Sequence, residues 1–211
     1  MQHNFYSMTK KIFILGLLVF YCIPCQAQDL KQLKSIGFFY GFGHEIKNRN
    51  YSYDNNYYKF QLGYELKETK NFKYELFIQP EINFATHQLL NLYFVTPEDP
   101  NYLEKRKRFA QVKQIKEYIL GFGLCVRKPI SKKASVYGLL SIGPAIVNKE
   151  TERLSKGFTF ADVLALGFAM KVNKFVLDLR PSFRHISNGG LGKSNAGFNS
   201  GTIEFGIIAP L

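Results

Sequence analysis

The chain has 211 residues, with 28 Lys or Arg against 16 Asp or Glu and a formal net charge of +12. That size fits one domain, and the basic balance points to an anionic partner. No RNA- or DNA-binding motif is present, which argues against nucleic acid; for an exported chain a phosphorylated lipid meets the same charge.

The N-terminal segment reads as an export signal. Lys10 and Lys11 precede an apolar run from Ile12 to Tyr21, and Cys25-Gln26-Ala27 places small residues at the positions a signal peptidase reads. Cleavage is expected near Ala27, leaving residues 28–211 as the mature domain. The apolar run is too short for a membrane-spanning helix, which needs about 20 residues. Tyr21 and Pro24 argue against a lipidated cysteine. Removing the two lysines takes the net charge from +12 to about +10 and leaves Cys125 as the one remaining cysteine, so no internal disulfide forms.

Eight segments then alternate between apolar and polar residues: 35–46, 56–67, 73–87, 115–127, 134–147, 158–172, 175–187 and 199–210. Side chains on a strand alternate between faces, and segments of this length separated by polar turns are the signature of a membrane-spanning barrel. In the third, Tyr74, Leu76, Ile78, Ile82 and Phe84 oppose Glu75, Gln79, Glu81 and Asn83. In the fourth, Tyr118, Leu120, Phe122, Leu124 and Val126 oppose Glu117, Gly121, Gly123 and Arg127. The sixth sets Phe158, Phe160, Leu164, Leu166, Phe168 and Met170 against Ala161, Ala165, Gly167, Ala169 and Lys171. The fifth does not separate cleanly. The fold expected is all-β, an eight-stranded antiparallel transmembrane β-barrel of the outer membrane, whose narrow interior side chains must fill. Such a bore leaves little room for a pore.

The connections alternate in length. Segments 67–72, 128–133 and 173–174 are short, whereas 47–55, 88–114, 148–157 and 188–198 are longer. Short turns belong to the periplasm and long loops to the outside. A short helix is expected near 101–110, carrying the basic run Lys105, Arg106, Lys107 and Arg108. That run reads either as a solvated loop or as a weak phosphate-binding patch.

The seventh strand holds the most informative residues. Its odd positions run Phe175, Leu177, Leu179, Pro181, Phe183, His185 and Ser187, so a base and a hydroxyl share the apolar face. That placement makes poor sense for a water-soluble substrate and good sense for a lipid.

The segment His185-Ile186-Ser187-Asn188-Gly189-Gly190-Leu191, followed by Asn195-Ala196-Gly197-Phe198-Asn199-Ser200, resembles the lipid A 3-O-deacylase family. The resemblance implies an outer-membrane esterase acting on lipid A in the outer leaflet, with Ser187 as nucleophile and His185 as general base. Asn188 and the backbone amide of Gly190 match positions that stabilise the oxyanion. The family has a glutamate where this chain has Asn199. An amide oxygen can orient a histidine, but it does not offset the imidazolium charge. Asp162 is a second candidate for that role: a two-residue hairpin at Asn173-Lys174 sets it beside His185 on the lipid-facing side. No metal or other cofactor is implied. A homodimer is left open as an assembly. The competing class is a non-enzymatic small barrel with a structural or surface-interaction role.

Overall fold

The computed structural model describes residues 33–46 and 48–211; the expected export signal lies outside the described residues. Eight antiparallel strands form a closed barrel in which each strand pairs with its sequence neighbours and the last pairs with the first. The strands are β1 (Leu33–Glu45), β2 (Tyr51–Glu68), β3 (Lys73–Leu89), β4 (Lys113–Pro129), β5 (Ala134–Val147), β6 (Gly157–Val172), β7 (Phe175–Ser187) and β8 (Phe198–Pro210). A helix α1 (Tyr102–Phe109) lies in the β3–β4 loop, where the sequence predicts one.

The barrel wall has an apolar outside. Phe122, Leu124, Leu140, Leu164, Leu166 and Ile207 all point outward and are exposed. Their number is explained by a hydrocarbon surround and not by water. β5 blurs in sequence because both its faces are apolar. Val136, Leu140, Ile142 and Ile146 face out, while Leu139, Ala145 and Val147 face in and are buried. The inward residues belong to two apolar clusters that cap the interior near its ends.

Between those clusters the interior is charged and internally paired. Lys59 Nζ lies 2.8 Å from Glu204 and 3.3 Å from Glu81. Arg180 lies 3.3 Å from Glu204 and 3.5 Å from Asp178, and its Nε donates to the Tyr137 hydroxyl at 2.8 Å. Arg184 pairs with Glu81 and stacks over the Tyr57 ring. These side chains fill the bore, as the size of an eight-stranded barrel requires. Gly167 and Gly206 make room for the rings of Tyr137 and Phe39, against which a side chain at either glycine would press.

One boundary departs from expectation. β2 begins at Tyr51 and not near 56, so the β1–β2 connection is short and not long. Tyr51 and Tyr53 alternate inward and are buried beneath the outer loops, while Ser52 and Asp54 on the other face are polar. This part of β2 carries no apolar outer face to mark it as strand. At 18 residues β2 exceeds the 9–11 that cross the hydrocarbon, so its start projects beyond it.

Glu204→Ala removes the carboxylate shared by Lys59 and Arg180, leaving two buried cations short of charge. Barrel stability is expected to fall by about 3–5 kcal/mol, read as a lower urea midpoint for unfolding in detergent or lipid.

Candidate active site

β7 and its two neighbours build the candidate site at the outer rim. The β6–β7 hairpin turns on Asn173, whose φ of 54° suits a two-residue loop. The register it sets brings Asp162 opposite His185. On the other side β8 brings Asn199 opposite His185. Directly opposed residues share a face, so Asp162, His185 and Asn199 form one row across three strands on the outer wall. Ser187 lies on the same face of β7, its Cα about 6.5 Å from that of His185.

The row has one direct bond. His185 Nδ1 is 2.7 Å from Asn199 Oδ1. An amide oxygen only accepts, so Nδ1 carries the proton, and in the neutral ring Nε2 then keeps its lone pair. That is the tautomer a base needs to take a proton from a hydroxyl. Asp162 is half-buried beside the ring, and its Oδ1 has no hydrogen-bond partner. Of the two candidates for orienting His185, Asn199 makes the contact. Below the row the wall is apolar again, with Leu164 opposite Phe183.

The β7–β8 loop folds back over the site. Gly189 and Gly190 both have positive φ, 61° and 81°, and Leu191 N–H donates to Asn188 O at 3.0 Å. Two positive φ values in succession make this a primed turn, which glycine adopts without strain. Asn188 is buried and spends its side chain within the loop. Its Oδ1 accepts from Gly190 N–H at 3.1 Å, and its Nδ2 donates to Ser194 O at 2.8 Å. The two oxyanion candidates are therefore bonded to each other in this state.

Gly197 is the point of closest approach. A Cβ there would lie 2.5 Å from the Ile186 carbonyl oxygen, 3.3 Å from the His185 ring and 3.4 Å from Ser187 Cβ, and φ is +64°. Arg153, in the β5–β6 loop, holds this backbone down. Its Nε donates to Gly197 O at 2.7 Å and its terminal nitrogen to Ala196 O at 3.2 Å. The guanidinium stacks over Tyr51 and Phe94, and burial lowers its pKa from the ordinary arginine value. Glu152, the preceding residue, lies 3.0 Å from His87 Nε2 at the buried inner rim. His87 Nδ1 in turn meets Ser52 O at 3.0 Å. Arg153 carries no periodic signal in the sequence, and only the meeting of two distant loops reveals it. Gly197 lies within the segment that carries the family resemblance, but its closeness to His185 depends on that same meeting.

The basic run on α1 is mostly engaged within the chain. Lys105 pairs with Asp99 at 2.9 Å, and Arg108 with Glu150 at 3.1 Å. Arg106 donates to Val95 O at 2.9 Å and stacks over Tyr93 and Tyr102. Lys107 makes no ion pair among the described residues. Three of the four are therefore engaged within the chain. Among the described residues no cluster of His, Cys, Asp or Glu could hold a metal ion.

Comparison with known proteins matches residues 98–207 to the family described as lipid A 3-O-deacylase (PagL). That span contains the whole row and the loops over it. The crystal structure of the outer membrane enzyme PagL aligns with a TM-score of 0.54 at 12% identity, covering 81% of this chain and 97% of that one. Neisserial surface protein A aligns at a TM-score of 0.46 and 13% identity, over 84% of this chain and 96% of its own. The Yersinia pestis outer membrane protein Ail aligns at 0.37 and 13% identity, over 83% and 99%. No curated protein sequence matches significantly. None of these comparisons supports a homodimer.

Arg153→Met keeps the bulk of the side chain but removes both hydrogen bonds to the 196–197 backbone. Amide exchange is expected to quicken across residues 194–197 and to remain unchanged in the strands, as read by exchange mass spectrometry.

Proposed function

Because the chain belongs to the lipid A 3-O-deacylase family, we propose that it hydrolyses the ester joining the 3-linked 3-hydroxyacyl chain to lipid A, with Ser187 as nucleophile and His185 as general base. The chain is a bacterial outer-membrane barrel, and lipid A in the outer leaflet is the substrate its family implies. One observation carries the residue assignment: the 2.7 Å bond from His185 to Asn199, on the lipid-facing wall two residues from Ser187.

The chemistry follows from that arrangement. A serine hydroxyl is a weak nucleophile until a base accepts its proton. His185 Nε2 takes the Ser187 proton as Oγ attacks the acyl carbonyl carbon. The negative charge moves to the carbonyl oxygen, where N–H donors stabilise it. Collapse breaks the bond to the sugar oxygen, and His185 returns the proton to that leaving group. Water then attacks the acyl-enzyme with His185 again as base, releasing the 3-hydroxy fatty acid and restoring Ser187.

Asn199 keeps the imidazole in its working tautomer throughout. Being neutral, it does less than a carboxylate for the imidazolium that forms at each step. Asp162, the cross-strand neighbour on the other side, lies beside the ring without bonding it. Gly190 N–H is held by Asn188 Oδ1 and Asn188 Nδ2 by Ser194 O, so the two serve the oxyanion only when both bonds open, which ties turnover to movement of the 188–194 loop.

Lipid A extracted from cells producing wild type is expected to lack one 3-hydroxyacyl chain by mass spectrometry, and lipid A from cells producing Ser187→Ala to retain it. Identical spectra would leave a non-enzymatic barrel as the better reading. In purified protein Asn199→Ala is expected to lower turnover by roughly 10- to 100-fold. Asn199→Glu is expected to match or exceed wild type, since a carboxylate both orients the ring and offsets its charge. Asp162→Asn should cost less than Asn199→Ala; the reverse order would make Asp162 the orienting partner.

A further inference from the structure

Two loops close over the site by zipping together, and each loop carries a lysine next to the zipper. Leu154 of the β5–β6 loop bridges Asn195 of the β7–β8 loop. Ser155 N–H donates to Ser194 O at 3.1 Å, and Ser194 N–H donates to Ser155 Oγ at 3.0 Å. Gly192 packs so closely on Ser155 that a Cβ there would lie 2.8 Å from Ser155 Cβ. Lys156 and Lys193 each lie one residue from this contact, and both are exposed.

Neither loop has a free carboxylate to pair with these lysines. The β5–β6 loop has two carboxylates, and both are engaged elsewhere. Glu150 pairs with Arg108 and Glu152 with His87. The β7–β8 loop, residues 188–197, contains no acidic residue. Neither lysine has an ion-pair partner among the described residues.

Their position selects a kind of anion. Lys156 precedes Phe158 by two residues, and Phe158 and Phe160 are T-stacked on the outer wall, at a centroid separation of 5.0 Å. Phe160 is the cross-strand partner of Ser187. Four residues of chain span at most about 14 Å, so Lys156 lies within that distance above the hydroxyl's strand partner. Lys193 approaches from the loop that begins at Ser187. The pair therefore stands where the hydrocarbon ends and headgroups begin. A phosphate monoester carries about −1.5 to −2 charges near neutrality, enough to balance two lysines. Lysines bind it as point charges, without the planar fork an arginine needs.

We infer that Lys156 and Lys193 together hold a phosphate of the lipid headgroup while its acyl ester faces Ser187. This rests on the reading of the chain as a lipid A esterase. It moves headgroup recognition away from the run Lys105–Arg108, three of whose members already have partners within the chain. It also assigns the loop zipper a role: it ties together the two loops that each supply one of the lysines.

The test uses the full barrel in zwitterionic detergent, as wild type and as the double variant Lys156→Gln/Lys193→Gln, with folding of both checked by heat-dependent gel migration. Each is titrated with lipid A bearing its phosphates and with lipid A stripped of them by phosphatase, and released fatty acid is measured in the same samples. The double variant is expected to bind phosphorylated lipid A about tenfold more weakly than wild type, and the stripped lipid equally well. Equal binding of phosphorylated lipid by both proteins, or equal losses on both lipids, would overturn the inference. A calorimetric titration with inorganic phosphate alone is expected to show no saturable binding; saturable binding below millimolar concentration, lost in the variant, would assign the pair to free phosphate instead. Discrimination without fatty-acid release would overturn the esterase reading and keep the clamp. Release without discrimination would do the opposite.

Discussion

In hydrocarbon a backbone N–H or C=O has no water to bond, and leaving one unpaired costs several kcal/mol. For a chain built of strands the remedy is closure, with every strand paired on both edges. The β1–β8 ladder, from Ser35 opposite Pro210 to Glu45 opposite Ser200, completes that circuit. Closure fixes register, and register with a period of two fixes which side chains meet lipid. A slip of one residue in β7 would send Arg180 and Arg184 into hydrocarbon and Phe183 into the charged interior. The paired charges inside and the apolar wall outside are consequences of the same ladder.

The row Asp162–His185–Asn199 is polar on that apolar wall, and its location explains why it is tolerated. Polar groups on the outer face cost least where the strand leaves the hydrocarbon, and His185 and Ser187 are the last outward residues of β7. The loops above are tied down from inside the barrel mouth. Glu152 is anchored to buried His87, and Arg153 next to it holds the Ala196–Gly197 backbone over the His185 ring. Position on the wall thus comes from the ladder, and closeness of approach comes from the loops. A lipid can enter such a site sideways from the leaflet, which a loop-capped lumen would not allow.

How much of this was legible in the chain depends on range. Alternation located the strands whose two faces differ, because a period of two is a local property. The register of β6 against β7 was also legible, since a two-residue turn at Asn173-Lys174 leaves little choice of pairing and put Asp162 beside His185. The start of β2 was missed because Tyr51 and Tyr53 bury inward above the membrane, where no apolar outer face accompanies them. β5 blurred because apolar clusters occupy the interior at its ends. The zipper between Ser155 and Ser194 joins loops with no periodicity, and the Arg153 contacts depend on it. Asn188 and Gly190 were recognised as a pair through family resemblance, but the bond between them in the closed turn is a property of loop conformation.

The central claim is that this ladder presents a hydroxyl and a correctly oriented imidazole to the membrane. The most direct measurement is covalent labelling by a lipid-soluble fluorophosphonate, which reacts with a serine only when a base activates it. Peptide mass spectrometry of the folded barrel should find the adduct on Ser187 in wild type and lose it in His185→Asn. An unlabelled Ser187, or labelling that persists without His185, would contradict the account.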